Sequence, residues 1–337
     1  MAPTAPDTGG TVRPRIVYVH GSGPKPRPEL LKAQWDRALF GRDLGGESHL
    51  AYWAPVLHGE PLPDPVPDPL EGTPDGSVET RGEEGAEEGS PRPPVLEDPA
   101  QFMARTATEA RSGDAGGGVA RSAGGGALGG WLRDMTYLAE ALALAEEPRP
   151  GPGEEPLPEA LPLPRPARTA LFRRLVKHTF EDAHAYFFGG AGRAVRQAVA
   201  EALDAAGADA DGAGPLVVVG HSLGSVAAYE VLAARNPRVD LFVTLGSPLA
   251  VTEVQDCLAA PPAVPSRTAR WLNASDGRDV VALDHTLRPE YAPPGRITDL
   301  LVSNGSENHH GVLEYLADAL VRDPVRRAWT RPAPGGD

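Results

Sequence analysis

The stretch that most constrains this chain is Leu216-Val217-Val218-Val219, an uninterrupted apolar run introduced by Pro215 and ended by Gly220-His221-Ser222-Leu223-Gly224. Four consecutive apolar residues without a polar interruption suit a strand covered on both faces, the usual state of a strand in a parallel sheet. The residues after the serine are small and apolar and predict a helix from Leu223 to Ala234, closed by Asn236-Pro237. A strand that turns sharply into a helix at a serine flanked by glycines lifts that hydroxyl clear of the sheet, because the glycines remove the Cβ atoms that would clash. The bare pattern says little, since a chain with 39 glycines contains Gly-x-Ser-x-Gly by chance roughly 0.2 times. Its position between strand and helix makes Ser222 a candidate nucleophile.

The same alternation runs through most of the chain. A strand is expected at 15–19, a helix at Glu29–Phe40 on the spacing Leu30, Leu31, Trp35 and Leu39, and a strand near His49–Val56. Two helices broken at Gly189-Gly190 are expected between Ala167 and Ala206. Strands are expected next at 240–245, 269–273 and 297–302, with helices at Val251–Leu258 and Val312–Val321. Strand, helix, strand in this order predicts an α/β fold, a mostly parallel central sheet flanked by helices.

The alternation divides the chain into a flexible N-terminus (1–14), a first part of the α/β domain (15–58), a long insertion (59–168), a second part (169–322) and a flexible C-terminus (323–337). Proline, glycine and acidic residues punctuate the insertion, a composition too poor in apolar surface to offset chain entropy, so most of it is expected to be flexible. Within it, Gln101–Ala110 and Trp131–Glu147 keep helical spacing and predict a helical lid.

The formal net charge is −14, and residues 60–99 alone hold twelve Asp and Glu against Arg81 and Arg92. No global positive field exists to gather nucleic-acid phosphates or an anionic membrane. The acidic insertion is instead a candidate surface for a protein partner. Cys257 is the single cysteine, which excludes an intrachain disulfide framework and a cysteine-based metal site. No apolar run approaches the roughly 18 residues of a membrane span, and the first fifteen residues have no apolar core, so a cytoplasmic protein is expected. Glu47 with His49, or His178 with His184, do not make a ligand set, and neither metal nor cofactor is expected.

A serine hydroxyl attacks only when a base takes its proton and when donors hold the negative charge that develops. The Leu223 amide, at the start of the expected helix, is one candidate donor. The second is the Ser22 amide in His20-Gly21-Ser22-Gly23, directly after the first strand, with Gly21 or Gly23 as alternates. His221 adjoins the serine in sequence, so its side chain points elsewhere and it reads as a packing residue.

Taken together, His20-Gly21-Ser22-Gly23, Val219-Gly220-His221-Ser222-Leu223-Gly224 and Leu245-Gly246-Ser247-Pro248 resemble a lipase-like branch of the α/β-hydrolase superfamily, similar to GPI inositol-deacylases and bacterial lipase-like hydrolases. The resemblance covers 15–57 and about 170–322. In that fold the acid comes after the strand beyond the next, and the histidine after the last strand. The resemblance therefore implies an acid in Asn273-Ala274-Ser275-Asp276-Gly277-Arg278-Asp279-Val280-Val281, with Asp279 the first candidate and Asp276 and Asp284 its rivals. It implies a base in Asn308-His309-His310-Gly311, where the spacing from His310 to Tyr315-Leu316 favours His310 over His309. The implied activity is hydrolysis of an acyl ester or lipid. A thioesterase or acyltransferase on the same residues, or a non-catalytic interaction module, are the alternatives.

Overall fold

The computed structural model describes residues 14–64, 66–71, 97–112, 124–145, 165–208 and 214–330. Residues 1–13 of the expected flexible N-terminus, residues 72–96 of the acidic stretch and residues 331–337 lie outside them.

Six strands form one sheet: β1 (Arg15–Val19), β2 (Ser48–Ala51), β3 (Leu216–His221), β4 (Leu241–Leu245), β5 (Trp271–Ser275) and β6 (Ile297–Leu301). All neighbours pair in parallel, in the order β2-β1-β3-β4-β5-β6. The expected α/β architecture with a parallel sheet is therefore present, and the all-apolar run of β3 sits near its middle, buried along its whole length. Because side chains alternate across a strand, the sheet feeds two cores. Ile16, Tyr18, Val217, Val219, Leu241 and Val243 face one of them, and Val17, Val19, Val218 and Phe242 the other.

The first core is closed by α1 (Pro28–Phe40) through Leu31, Trp35 and Leu39, and by the last helices of the chain. The opposite core is closed by helices that come largely from the middle of the sequence. After the single turn α2 (Pro55–His58) these are α3 (Pro99–Ser112), α5 (Gly129–Ala145), which the short α4 (Gly124–Ala127) precedes, α6 (Arg165–Phe187) and α7 (Gly192–Ala205), and then α8 (Leu223–Arg235).

Several elements depart from the sequence expectation, each for a local reason. The strand expected over His49–Val56 stops at Ala51, because the Trp53 and Ala54 amides turn to the ring Nε2 of His20 (3.0 and 3.2 Å) instead of continuing the ladder. The helix expected over Val251–Leu258 shrinks to one turn, α9 (Thr252–Gln255). The last helix is two, α10 (Val312–Ala317) and α11 (Ala319–Trp329), divided at Asp318, whose carboxylate caps the Leu320 amide at 2.7 Å. Residues 323–329 are thus helical rather than a flexible tail: Val325, Ala328 and Trp329 of α11 are buried in the same core as Trp35 and Leu39 of α1.

The described part of the stretch 59–168 follows the helical spacing read from its sequence. Its two anticipated helices exist as α3 and α5, and Phe102, Leu128, Trp131, Leu132 and Met135 are buried in the larger core. Arg173 of α6 pairs with Glu140 of α5 at 2.6 Å, and Arg168 donates to the Ala143 carbonyl at 2.8 Å. The apolar residues of α3 and α5 are concentrated on single helix faces, so the helices are legible in spacing although the average composition of the stretch is poor in apolar residues. Among the described residues no helix is long and apolar enough to cross a membrane.

Candidate active site

Ser222 is the single residue between β3 and α8, and it has φ 51° and ψ −133°. That backbone region is costly for a residue with a Cβ, about 1–3 kcal/mol, and persists only where surroundings enforce it. Here they do. The Ser222 amide donates to the Leu245 carbonyl at 2.9 Å, and β1 presses against the start of α8 so closely that a Cβ on Gly224 would lie 2.1 Å from the His20 carbonyl oxygen. Gly21 is squeezed from the other side, its missing Cβ falling 2.7 Å from the Ser222 Cβ. Ser222 Oγ is buried and has no hydrogen-bond partner among the described residues. A buried hydroxyl left unpaired costs about 1–3 kcal/mol, so the turn combines two unfavourable features at one residue.

The loops after β5 and β6 bring Asp279 and His310 together. His310 Nδ1 lies 2.7 Å from Asp279 Oδ2. The same carboxylate oxygen accepts the Tyr315 hydroxyl at 2.7 Å, while Oδ1 accepts the Val281 amide at 2.9 Å. With Nδ1–H held by the carboxylate, the lone pair of a neutral His310 ring falls on Nε2. Burial, then the Asp279 charge, pushes the Tyr315 phenol well above its ordinary range, so it is a permanent donor. Gly246, directly after β4, makes the pairing possible. Its φ is +51°, and a Cβ there would sit 2.7 Å from Asp279 Oδ2 and 2.9 Å from the His310 ring.

The rival residues go elsewhere. Asp276 binds Arg278 and receives the Asn304 amide at 2.7 Å; although burial opposes it, these bonds hold its carboxyl below the usual range. Asp284 lies on the exposed side of its loop and receives the Thr286 amide at 3.0 Å. His309, with φ 56°, turns its ring toward Phe172 and the Asn304 carbonyl. The His310 backbone is fixed by Asn308, whose Oδ1 accepts the His310 amide at 3.0 Å and whose Nδ2 donates to the Leu70 carbonyl at 2.8 Å.

His221 does pack, as its place in the sequence suggests, but its partner is informative. Its ring lies 4.5 Å from that of His310, and its Nε2 donates to the His310 carbonyl at 2.9 Å. Burial, helped by the nearby His310 and Lys25, lowers its pKa well below the ordinary histidine value, so it remains a neutral strut.

No hydrogen bond joins Ser222 Oγ to His310, although the Leu245 carbonyl that receives the Ser222 amide precedes Gly246, which lies against the His310 ring. Among the described residues neither the Ser22 nor the Leu223 amide donates a hydrogen bond, whereas the Gly23 amide is taken by Asp182 Oδ2 at 2.7 Å. Of the two glycines flanking Ser22, Gly23 is thereby removed as a free donor.

The site is closed. Ser222, Asp279 and His310 are 1%, 0% and 1% exposed. Part of the cover comes from α5, where Trp131 donates to the Val281 carbonyl, two residues after Asp279, at 3.3 Å. A cavity of about 650 Å³ is bordered by Val56, His58, His178 and Asp182 and is lined by none of the three residues. Among the described residues no group of three or more His, Cys, Asp and Glu side chains is gathered in a way that could hold a metal ion.

Sequence reasoning missed the parts played by Gly246, Tyr315 and Asp182. The first two stand inside recognisable motifs but carry no local sign of their contacts, and Asp182 has no local signal at all, since it meets Gly23 across 159 residues of chain. No protein-family model, curated protein or solved structure matches the chain.

Proposed function

We propose that the protein is an α/β-hydrolase-fold serine hydrolase that cleaves acyl esters. The observation that carries this reading is the strained Ser222, its buried hydroxyl unpartnered among the described residues, next in the chain to His221, whose ring packs 4.5 Å from that of a histidine held by a carboxylate at 2.7 Å. A fold bears the cost of such a residue where reactivity needs it. Support also comes from topology: the serine comes after β3, the acid after β5 and the histidine after β6, the chain order serine, acid, histidine of that fold.

In the proposed reaction His310 Nε2 takes the Ser222 proton as Oγ attacks the ester carbonyl, and Asp279 stabilises the imidazolium that forms. The Ser22 and Leu223 amides bind the oxyanion. The imidazolium returns its proton to the leaving alcohol, leaving an acyl-serine. Water, deprotonated by the same histidine, then attacks this acyl-serine and releases the acid. Because the three groups are buried, the covering helices must part before a substrate can reach them.

Hydrolysis of p-nitrophenyl butyrate tests the reading. Ser222→Ala is expected to lower kcat by at least about 10³-fold with an unchanged melting temperature or a higher one. Wild-type turnover in that variant would refute the assignment of the nucleophile.

A further inference from the structure

The loop after β1 contains two consecutive peptide units whose four polar atoms are almost all engaged. In the first, between Gly21 and Ser22, the Gly21 carbonyl lies 2.8 Å from His20 Nδ1. The ring must donate there, because its Nε2 accepts the Trp53 and Ala54 amides. Burial, then the nearby Lys25 charge, lowers its pKa to about 3, so the ring is neutral and its tautomer fixed. In the second unit, between Ser22 and Gly23, the carbonyl accepts Lys25 Nζ at 2.6 Å and the N–H donates to Asp182 Oδ2 at 2.7 Å. Both charged groups are themselves anchored, Lys25 by Asp68 at 2.7 Å and Asp182 by His58 at 2.9 Å.

Three of the four polar atoms are therefore held, and the fourth, the Ser22 N–H, has no acceptor among the described residues. A peptide is planar, so fixing the carbonyl of the first unit fixes the direction of its N–H. Fixing both ends of the second unit removes the remaining rotation at Ser22. Gly23 takes φ +84°, a left-handed backbone that glycine adopts without strain as the chain turns away after this amide.

We propose that Asp182 is a positioning residue that acts through Gly23 to aim the Ser22 amide at the oxyanion. This rests on the acyl-transfer reading of the site. A donor that must meet an oxygen appearing only in the transition state loses much of its effect when displaced by a fraction of an ångström, while ground-state binding barely notices.

The test uses the full chain with three readouts: kcat and KM for p-nitrophenyl butyrate, the Ki of an alkyl trifluoromethyl ketone, which adds to the serine as an oxyanion, and the thermal melt. For Asp182→Ala, kcat is expected to fall about 10- to 100-fold with KM within about threefold, and the ketone Ki to rise by the same factor as kcat/KM falls. Asp182→Asn, which keeps an acceptor for the Gly23 amide, is expected to fold like the wild type and recover most of the loss. A folded Asp182→Ala with wild-type kcat and Ki overturns the positioning role, as does a loss of kcat at unchanged Ki, or an Asn variant as impaired as Ala. If the wild-type chain neither turns over the ester nor binds the ketone, the acyl-transfer reading fails instead.

Discussion

The hydroxyl of Tyr315 and Nδ1 of His310 share one acceptor, Oδ2 of Asp279, each at 2.7 Å. The tyrosine drains electron density from the oxygen that supports the histidine. It is also the acceptor of the Asp276 amide at 2.9 Å, so it ties the two acidic positions of the β5 loop together. Tyr315→Phe removes a donor from Asp279 and the acceptor of the Asp276 amide, and is expected to lower kcat with KM little changed and to cost about 1–3 kcal/mol of stability. Steady-state kinetics with urea melts check both, and a wild-type kcat in the folded variant would count against the shared-acceptor role.

Asp279 and Asp276 stand three residues apart and are expected to differ sharply. Asp279→Asn lets the histidine ring settle in the wrong tautomer and is expected to lower kcat by about 10⁴-fold. Asp276→Asn disturbs the bonds to Arg278 and Asn304 and is expected to change melting more than turnover. Steady-state kinetics and thermal melts on the pair separate the two roles, and the reverse ranking would transfer the acid to Asp276.

Gly246 tests how tightly the acid and base are packed. Alanine would place a methyl 2.7 Å from Asp279 Oδ2 at a backbone φ of +51°. The expected result is a loss of about 1–3 kcal/mol from backbone strain, with a fall in kcat beyond what unfolding explains. Calorimetry and kinetics on the folded fraction check this.

The legibility of this site in the sequence depends on the distance over which each signal acts. The β3 run, Ser222 and the start of α8 are contiguous, so strand, turn and helix could be read from neighbouring residues. Asp279 and His310 follow from the sequence only through the resemblance to a known family, and the structure brings them within hydrogen-bond distance while directing Asp276 and His309 elsewhere. The hidden features depend on contacts between remote segments. His20 ends β2 early through the Trp53 and Ala54 amides, Asp182 meets Gly23, and Trp131 closes over Val281. An apolar spacing predicts that α5 buries a face, and nothing in it says against what.

Stability is expected to carry two opposing pH signatures. His20 and His178 are lowered to about 3 and about 4 by burial, and His221 lies well below its ordinary value, so the unfolded chain takes up protons that the folded one refuses. Their combined effect is a loss of stability as pH falls below about 6.5, continuing down toward 3. Glu71 is raised from 4.5 to about 8, by burial and then by Asp68, so the folded state keeps a proton that the unfolded state releases, and stability falls as pH rises between those values. Urea midpoints from pH 4 to 9 are expected to show both slopes. Glu71→Gln is expected to flatten the decline between about pH 6.5 and 8 and to steepen the rise between about 4.5 and 6.5, where the two effects oppose each other.

The most direct measurement is covalent. The intact chain is treated with a fluorophosphonate, which phosphonylates an activated serine, and the site is located by peptide mass mapping. Ser222 is expected to carry the adduct in the wild type, slowly in Asp279→Asn and not at all in His310→Ala or Ser222→Ala. An adduct on another serine, or a wild-type chain that stays unmodified while folded, would contradict the assignment of Ser222, Asp279 and His310 as one catalytic unit.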